Sequence, residues 1–339
     1  MNKTQTSIKI SLTAVLLASI LTACGARGDG SETPTPSPSS SINEPAPTET
    51  ASETPSEESD ELIVNAFRKL ALAGGPADEL YASLEKSIEG LQPAQADELI
   101  RSMEAYYDKN LPVAEEKIQQ SDVQQQLSQL KWPITEDQIH SIKDDDVRQL
   151  VEQTIAGGYK LETAEGFYFP VVDYGKLLSF GDKVSIAMKA YLDLMGTESD
   201  APTAKDAGLV ITWDELASRT LAAESYIVTF PDTAERAKVE DRYHNYLSMY
   251  LVGLNNTPIF DYDTFAVLPD VKKQYEQMVV SHGGTITGQL AKELLDVLSE
   301  TGGFVYQKGK KGEQIDIPAM KQFRENIVKK AQSKLPAVK

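Results

Sequence analysis

Residues 231–254 read PDTAERAKVEDRYHNYLSMYLVGL, and the spacing of their apolar side chains decides the fold class. Val239, Tyr243, Tyr246, Leu247, Tyr250 and Leu254 recur at intervals that stack on one face of an α-helix. Ahead of them, Pro231-Asp232-Thr233-Ala234-Glu235 is a helix-start signal, because proline presets φ and acidic side chains suit the first turn.

The same period spreads in both directions from this segment. Upstream, Leu80, Leu84, Ile88 and Leu91 form one stripe, and Leu99, Met103 and Tyr106 another. Val147, Leu150, Val151 and Ile155 repeat it and stop at Gly157-Gly158. Thr212-Trp213-Asp214-Glu215 predicts a capping box opening the helix that carries Leu216, Leu221 and Ile227. Downstream come Val271, Tyr275, Met278 and Val279; then Thr287, Leu290, Leu294, Val297 and Leu298; then Met320, Phe323, Ile327 and Ala331.

Two places break the helical period. Tyr159 to Thr163 and Phe167 to Val172 flank Ala164-Glu165-Gly166 and predict a hairpin, with Pro170 placing the second strand at an edge. Phe304 to Gln307 and Gln314 to Ile317 flank a Gly-Lys-Lys-Gly turn and predict another. The expectation is a mainly α, multi-helix fold with two small β-hairpins. It divides into a helical N-terminal part (61–157) and a helical C-terminal part with the hairpins (158–339).

The pattern begins abruptly at Glu61. From Gly25 to Asp60 the chain is almost entirely Ser, Thr, Pro, Glu, Gly and Ala, with Ile42 as its large apolar residue. So little apolar surface cannot offset the entropy of folding. One arginine against eight acids gives a charge of −7, so the segment should self-repel and extend as a disordered stalk over 24–60.

Residues 1–24 read MNKTQTSIKISLTAVLLASILTAC. Lys3 and Lys9 form a positive n-region, and Ile10 to Leu21 an apolar stretch too short to span a bilayer. Leu21-Thr22-Ala23-Cys24 resembles the lipobox of bacterial lipoproteins. That resemblance implies removal of a signal peptide (1–23) and a diacylglycerol on the Cys24 thiol, with fatty acids such as palmitate. It places the chain on the extracytoplasmic face of the cell membrane, where two acyl chains hold stably and one would not. A Ser/Thr/Pro/Glu-rich stalk before a helical domain is further similar to uncharacterised lipoproteins of Gram-positive bacteria. That likeness carries no catalytic residue over.

Composition narrows the function classes. Among 339 residues the net charge is −18, which argues against nucleic acid as a partner, since phosphates need basic patches. The single cysteine removes intrachain disulfides, cysteine-rich metal sites and, as the anchor, a catalytic thiol. Among the three histidines none lies in His-Glu-x-x-His, and there is no Gly-x-Ser-x-Gly, P-loop or Gly-x-Gly-x-x-Gly. No cofactor or metal is expected.

Three clusters remain as candidates. Asp137/His140 and Asp241/His244 each put an acid and an imidazole on one helix face, but read as solvated pairs. Glu198-Ser199-Asp200 lacks the spacing of a calcium loop and reads as a loop whose Asp200 caps the next helix. The run from Glu165 to Tyr174 sets aromatic faces beside carboxylates, as a site for sugar, peptide or a cationic group needs. Strand alternation there predicts Phe167 and Phe169 buried and Tyr168 exposed, with Glu165, Tyr168, Asp173 and Tyr174 as ligand-binding residues. The leading expectation is a non-catalytic binding module of the cell envelope, with a cell-wall or envelope partner. The alternatives are an envelope hydrolase with paired carboxylates and, behind it, a transporter's solute receptor.

Overall fold

The computed structural model describes residues 57–338. The expected signal peptide, Cys24 and the expected stalk up to residue 56 lie outside the described residues. Six helices come first: α1 (Glu57–Ala73), α2 (Ala77–Ser87), α3 (Pro93–Ile118), α4 (Ser121–Leu127), α5 (Glu136–His140) and α6 (Asp145–Ala156). The hairpin β1 (Tyr159–Ala164) and β2 (Phe167–Val172) precedes α7 (Tyr174–Leu178) and α8 (Ile186–Asp200). A short hairpin, β3 (Ala204–Lys205) and β4 (Gly208–Leu209), leads to α9 (Trp213–Thr229) and α10 (Arg236–Val252). Another, β5 (Gly253–Leu254) and β6 (Thr257–Pro258), precedes α11 (Pro269–His282) and α12 (Ile286–Glu300). The hairpin β7 (Tyr306–Lys308) and β8 (Gln314–Asp316) and the helix α13 (Pro318–Lys334) close the described chain.

Helix accounts for 63% of the described residues, about twice the share in an average globular domain, so the fold is mainly α. No described helix is long and apolar enough to cross a membrane. Both expected hairpins form where the helical period breaks, and two further two-residue hairpins stand beside them. In β3–β4 the turn residues Asp206 and Ala207 both have positive φ, where Asn-Gly is the usual signal. The Asn256 N–H donates to the Ala207 carbonyl at 2.9 Å, tying that hairpin to β5–β6.

The apolar stripes read from sequence are the core. Leu80, Leu84, Ile88, Leu99, Met103, Val147 and Val151 are buried, as are Tyr243, Tyr246, Leu247 and Tyr250 on α10. One large core runs from Val64 to Leu335 and draws on both sides of residues 157–158. At that junction Tyr107 donates its hydroxyl to the Gly157 carbonyl at 3.0 Å, and Gly158 takes φ +82°. A Cβ on Gly158 would lie 2.0 Å from the Tyr107 oxygen, so glycine is required on both counts.

Helix α1 starts at Glu57, so the last four residues assigned to the stalk are helical. Asp60 is buried, and its carboxylate accepts the Gln92 N–H at 3.3 Å, so folded structure begins ahead of Glu61. Thr212 caps α9 as expected, accepting the Glu215 N–H at 3.1 Å. The Glu215 carboxylate instead pairs with Arg219 at 2.8 Å. Asp200 is the last residue of α8 and does not cap a following helix.

A smaller second core gathers Ile118, Val123, Leu127, Ile139, Ile142, Val147, Val151, Leu161 and Tyr168. It joins the end of α3 and helices α4–α6 to the β1–β2 hairpin. The expected phase of β2 is reversed here: Tyr168 and Pro170 are buried, and Phe167 is 65% exposed. The reason is register. Thr163 pairs with Tyr168 and Leu161 with Pro170, so these β2 residues share the face on which Tyr159 and Leu161 are already buried.

Candidate functional site

The four residues singled out from sequence do not converge. Glu165 sits at the exposed hairpin turn with φ 51°. Tyr168 is buried with its ring 6.2 Å from that of Trp132, which withdraws it as an exposed ligand contact. Asp173 caps α7, accepting the Lys176 N–H at 3.2 Å. Tyr174 donates its hydroxyl to the buried Glu104 at 2.8 Å, and Tyr191 donates to the same oxygen. Burial, then the Glu104 charge, push the Tyr174 phenol far above its ordinary range. Tyr174 is therefore a member of an internal network.

The site the fold builds lies one strand away, along β1. A cleft of about 820 Å³ opens where the second core meets the large one. Trp132, Pro133, Ile134, Ile139, Ile155 and Leu161 form its apolar wall. Trp132 is 39% exposed, so part of a large aromatic residue stays open to solvent beside that wall. At the start of α5, beside this wall, Gln138 Oε1 accepts the Thr135 N–H at 3.0 Å.

Charged side chains form the rim. Lys160 on β1 bonds Asp200 at the end of α8 at 2.7 Å. Glu162, the next β1 residue on that face, pairs with Lys205 of β3 at 3.0 Å. His140 Nε2 lies 3.7 Å from Glu152, which also meets Arg148 at 4.0 Å. Lys176 Nζ donates to the Ile155 carbonyl at 2.6 Å and stands 5.9 Å from the Tyr81 ring centroid. Four acids, Glu136, Glu152, Glu162 and Asp200, share the lining with Lys160 and Lys176, so the lining itself carries a net charge of −2, with Lys205 and Arg148 standing just outside it against Glu162 and Glu152.

Lys176 and Ala156 also line an adjoining cleft of about 690 Å³ with Asp78, Tyr81, Glu85 and Asp173. Of the sequence candidates, Asp173 borders this second cleft, while His140 and Asp200, taken as a solvated group and a cap, border the first. Trp132, Glu152, Lys160 and Glu162 carried no signal of their own.

The other candidates resolve into structural roles. Glu198 accepts from Thr203 at 2.6 Å and Tyr246 at 2.7 Å and pairs with the buried Arg219 at 3.3 Å. Asp241 is exposed, while the buried Nε2 of His244 has no hydrogen-bond partner among the described residues. Among the described residues no three His, Cys, Asp or Glu side chains gather as metal ligands. The chain matches no family model, no curated protein and no solved structure at a significant level.

Proposed function

We propose that this protein is a lipid-anchored, extracytoplasmic binding module of the cell envelope, held to the membrane through an acylated Cys24 and taking its ligand in the cleft along β1. The observation that carries the binding is the lining of that cleft: an exposed Trp132 on an apolar wall, ringed by charges. Such a mixture of apolar surface and few oriented polar groups is what ligand sites share. The lipobox supports the address, and the acidic stalk supports a tether that sets the domain off the bilayer.

A hydrolase would need two facing carboxylates, one of them kept protonated. In the cleft Glu162 is committed to Lys205, Asp200 to Lys160, and Glu152 to His140 and Arg148, so that of the four lining acids Glu136 alone has no ion pair among the described residues. A solute receptor would need strands alternating with helices in two lobes, and the described strands form only two-stranded hairpins.

A photo-crosslinking residue tests the binding reading in living cells. Placed at position 132 of the full chain, it should give a discrete light-dependent adduct that the same residue at the exposed position 280 does not. Identical adducts from both positions, or none from position 132, would remove the cleft as a binding site.

A further inference from the structure

The two edges of the β1–β2 hairpin are not equivalent. The Asp173 N–H donates to the Gly158 carbonyl at 2.9 Å, and these residues are the next opposed pair in the register. Opposed residues of an antiparallel ladder exchange bonds at every second pair. Lys160, Glu162 and Ala164 therefore turn their backbone groups toward β2, and Leu161 and Thr163 turn theirs outward. On β2 the outward residues are Tyr168, Pro170 and Val172.

The outer edge of β2 is closed over most of its length, with the Pro170 carbonyl and the Val172 N–H left open among the described residues. The Gln124 carboxamide occupies both backbone groups of Tyr168, Pro170 has no N–H, and Ser199 donates its hydroxyl to the Val172 carbonyl at 3.0 Å. The outer edge of β1 is different. Among the described residues no group bonds the outward N–H or C=O of Leu161 or Thr163. Lys160, Leu161 and Glu162 all line the large cleft although their side chains alternate between faces. Consecutive residues of both faces border one space where that space lies along the strand's edge.

We infer that the cleft takes an extended peptide as a third strand on the outer edge of β1, and that this peptide alternates basic and apolar residues. The inference rests on the cleft being the binding site. Main-chain bonds to Leu161 and Thr163 would hold the peptide in register. Side chains of one face would reach the wall of Trp132, Ile134 and Ile139, and lysine or arginine would meet the acidic rim. Charge selects against the chain's own stalk as occupant, because that segment carries −7 and is proline-rich.

The test uses the full chain in neutral detergent and a fluorescein-labelled heptapeptide alternating lysine and valine, read by anisotropy. The peptide should bind saturably, and one alternating glutamate and valine should not. N-methylation of alternate peptide amides should weaken binding about tenfold or more in one phase and leave the other phase unchanged, since an added strand bonds through one edge. Thr163→Pro removes an outward donor, leaves the backbone bonds of the ladder in place and should weaken binding about tenfold, while Thr163→Val, which equally loses the hydroxyl bond to the Phe167 carbonyl, should bind as the parent does.

Equal losses from both N-methylated phases would overturn strand addition even if Thr163→Pro fails to fold. So would failure of the lysine–valine peptide to bind, or dimerisation of the chain through β1 that Thr163→Pro abolishes. If the peptide fails while the adduct from position 132 persists, strand addition falls and the binding reading stands. If both fail, both fall.

Discussion

A single side chain, that of Gln124, satisfies both backbone groups of Tyr168. Its Oε1 accepts the Tyr168 N–H at 3.0 Å and its Nε2 donates to the Tyr168 carbonyl at 2.8 Å. A third bond, from Nε2 to the Ile118 carbonyl at 2.8 Å, anchors the carboxamide at the end of α3. The glutamine thus stands in for a neighbouring strand and seals one edge of the hairpin against the second core.

Gln124→Ala should therefore destabilise the fold by about 1–3 kcal/mol, the cost of leaving partly buried donors and acceptors unpaired. Urea unfolding measures it. A change within about 0.5 kcal/mol, the range of ordinary surface substitutions, would show that the carboxamide contributes no net stability.

The buried phase of β2 gives an opposed pair of outcomes. Tyr168→Ala should cost about 3–5 kcal/mol, because it empties an aromatic site in the second core. Phe167→Ala should stay within about 0.5 kcal/mol, because that ring is 65% exposed. The same denaturation experiment distinguishes them, and the reverse order would restore the phase expected from β2 alone.

How far the sequence reveals this protein depends on how local each signal is. The helix stripes through Leu84, Met103, Val151 and Leu247 were legible because 3.6-residue periodicity is written within single segments. Both larger hairpins were legible where that period breaks. The face that Tyr168 presents was not, because it is fixed by pairing with β1: Tyr159 and Leu161 bury, and the register carries Tyr168 in with them. The hairpin β3–β4 lacked a turn signal, since Ala207 adopts a positive φ that glycine or asparagine usually marks. The cleft was illegible for another reason. Trp132, Glu152, Lys160 and Asp200 come from different elements, and only tertiary packing brings them together.

His244 should make stability depend on pH. Burial lowers its pKa below 6.5, against a smaller opposing effect of Glu240 and Asp241. The folded state thus disfavours the imidazolium. The resulting contribution is fully present above 6.5, where the unfolded imidazole is also neutral, and is lost as pH falls through that value to the lower folded pKa. Thermal melts of the parent and of His244→Gln, compared between pH 7.5 and 5, should show a smaller acid-side loss in the variant. Equal losses would mean that His244 titrates alike in both states.

The proposed lipid anchor is open to the most direct measurement. Intact mass spectrometry of the full chain purified from the membranes of a bacterial host should show a polypeptide beginning at Cys24. Residues 1–23 should be gone, and the added mass should be that of a diacylglycerol on the thiol, with or without a further acyl chain on the new amino terminus. A chain still beginning at Met1, or one cut elsewhere with an unmodified Cys24, would contradict the anchor and with it the extracytoplasmic binding role.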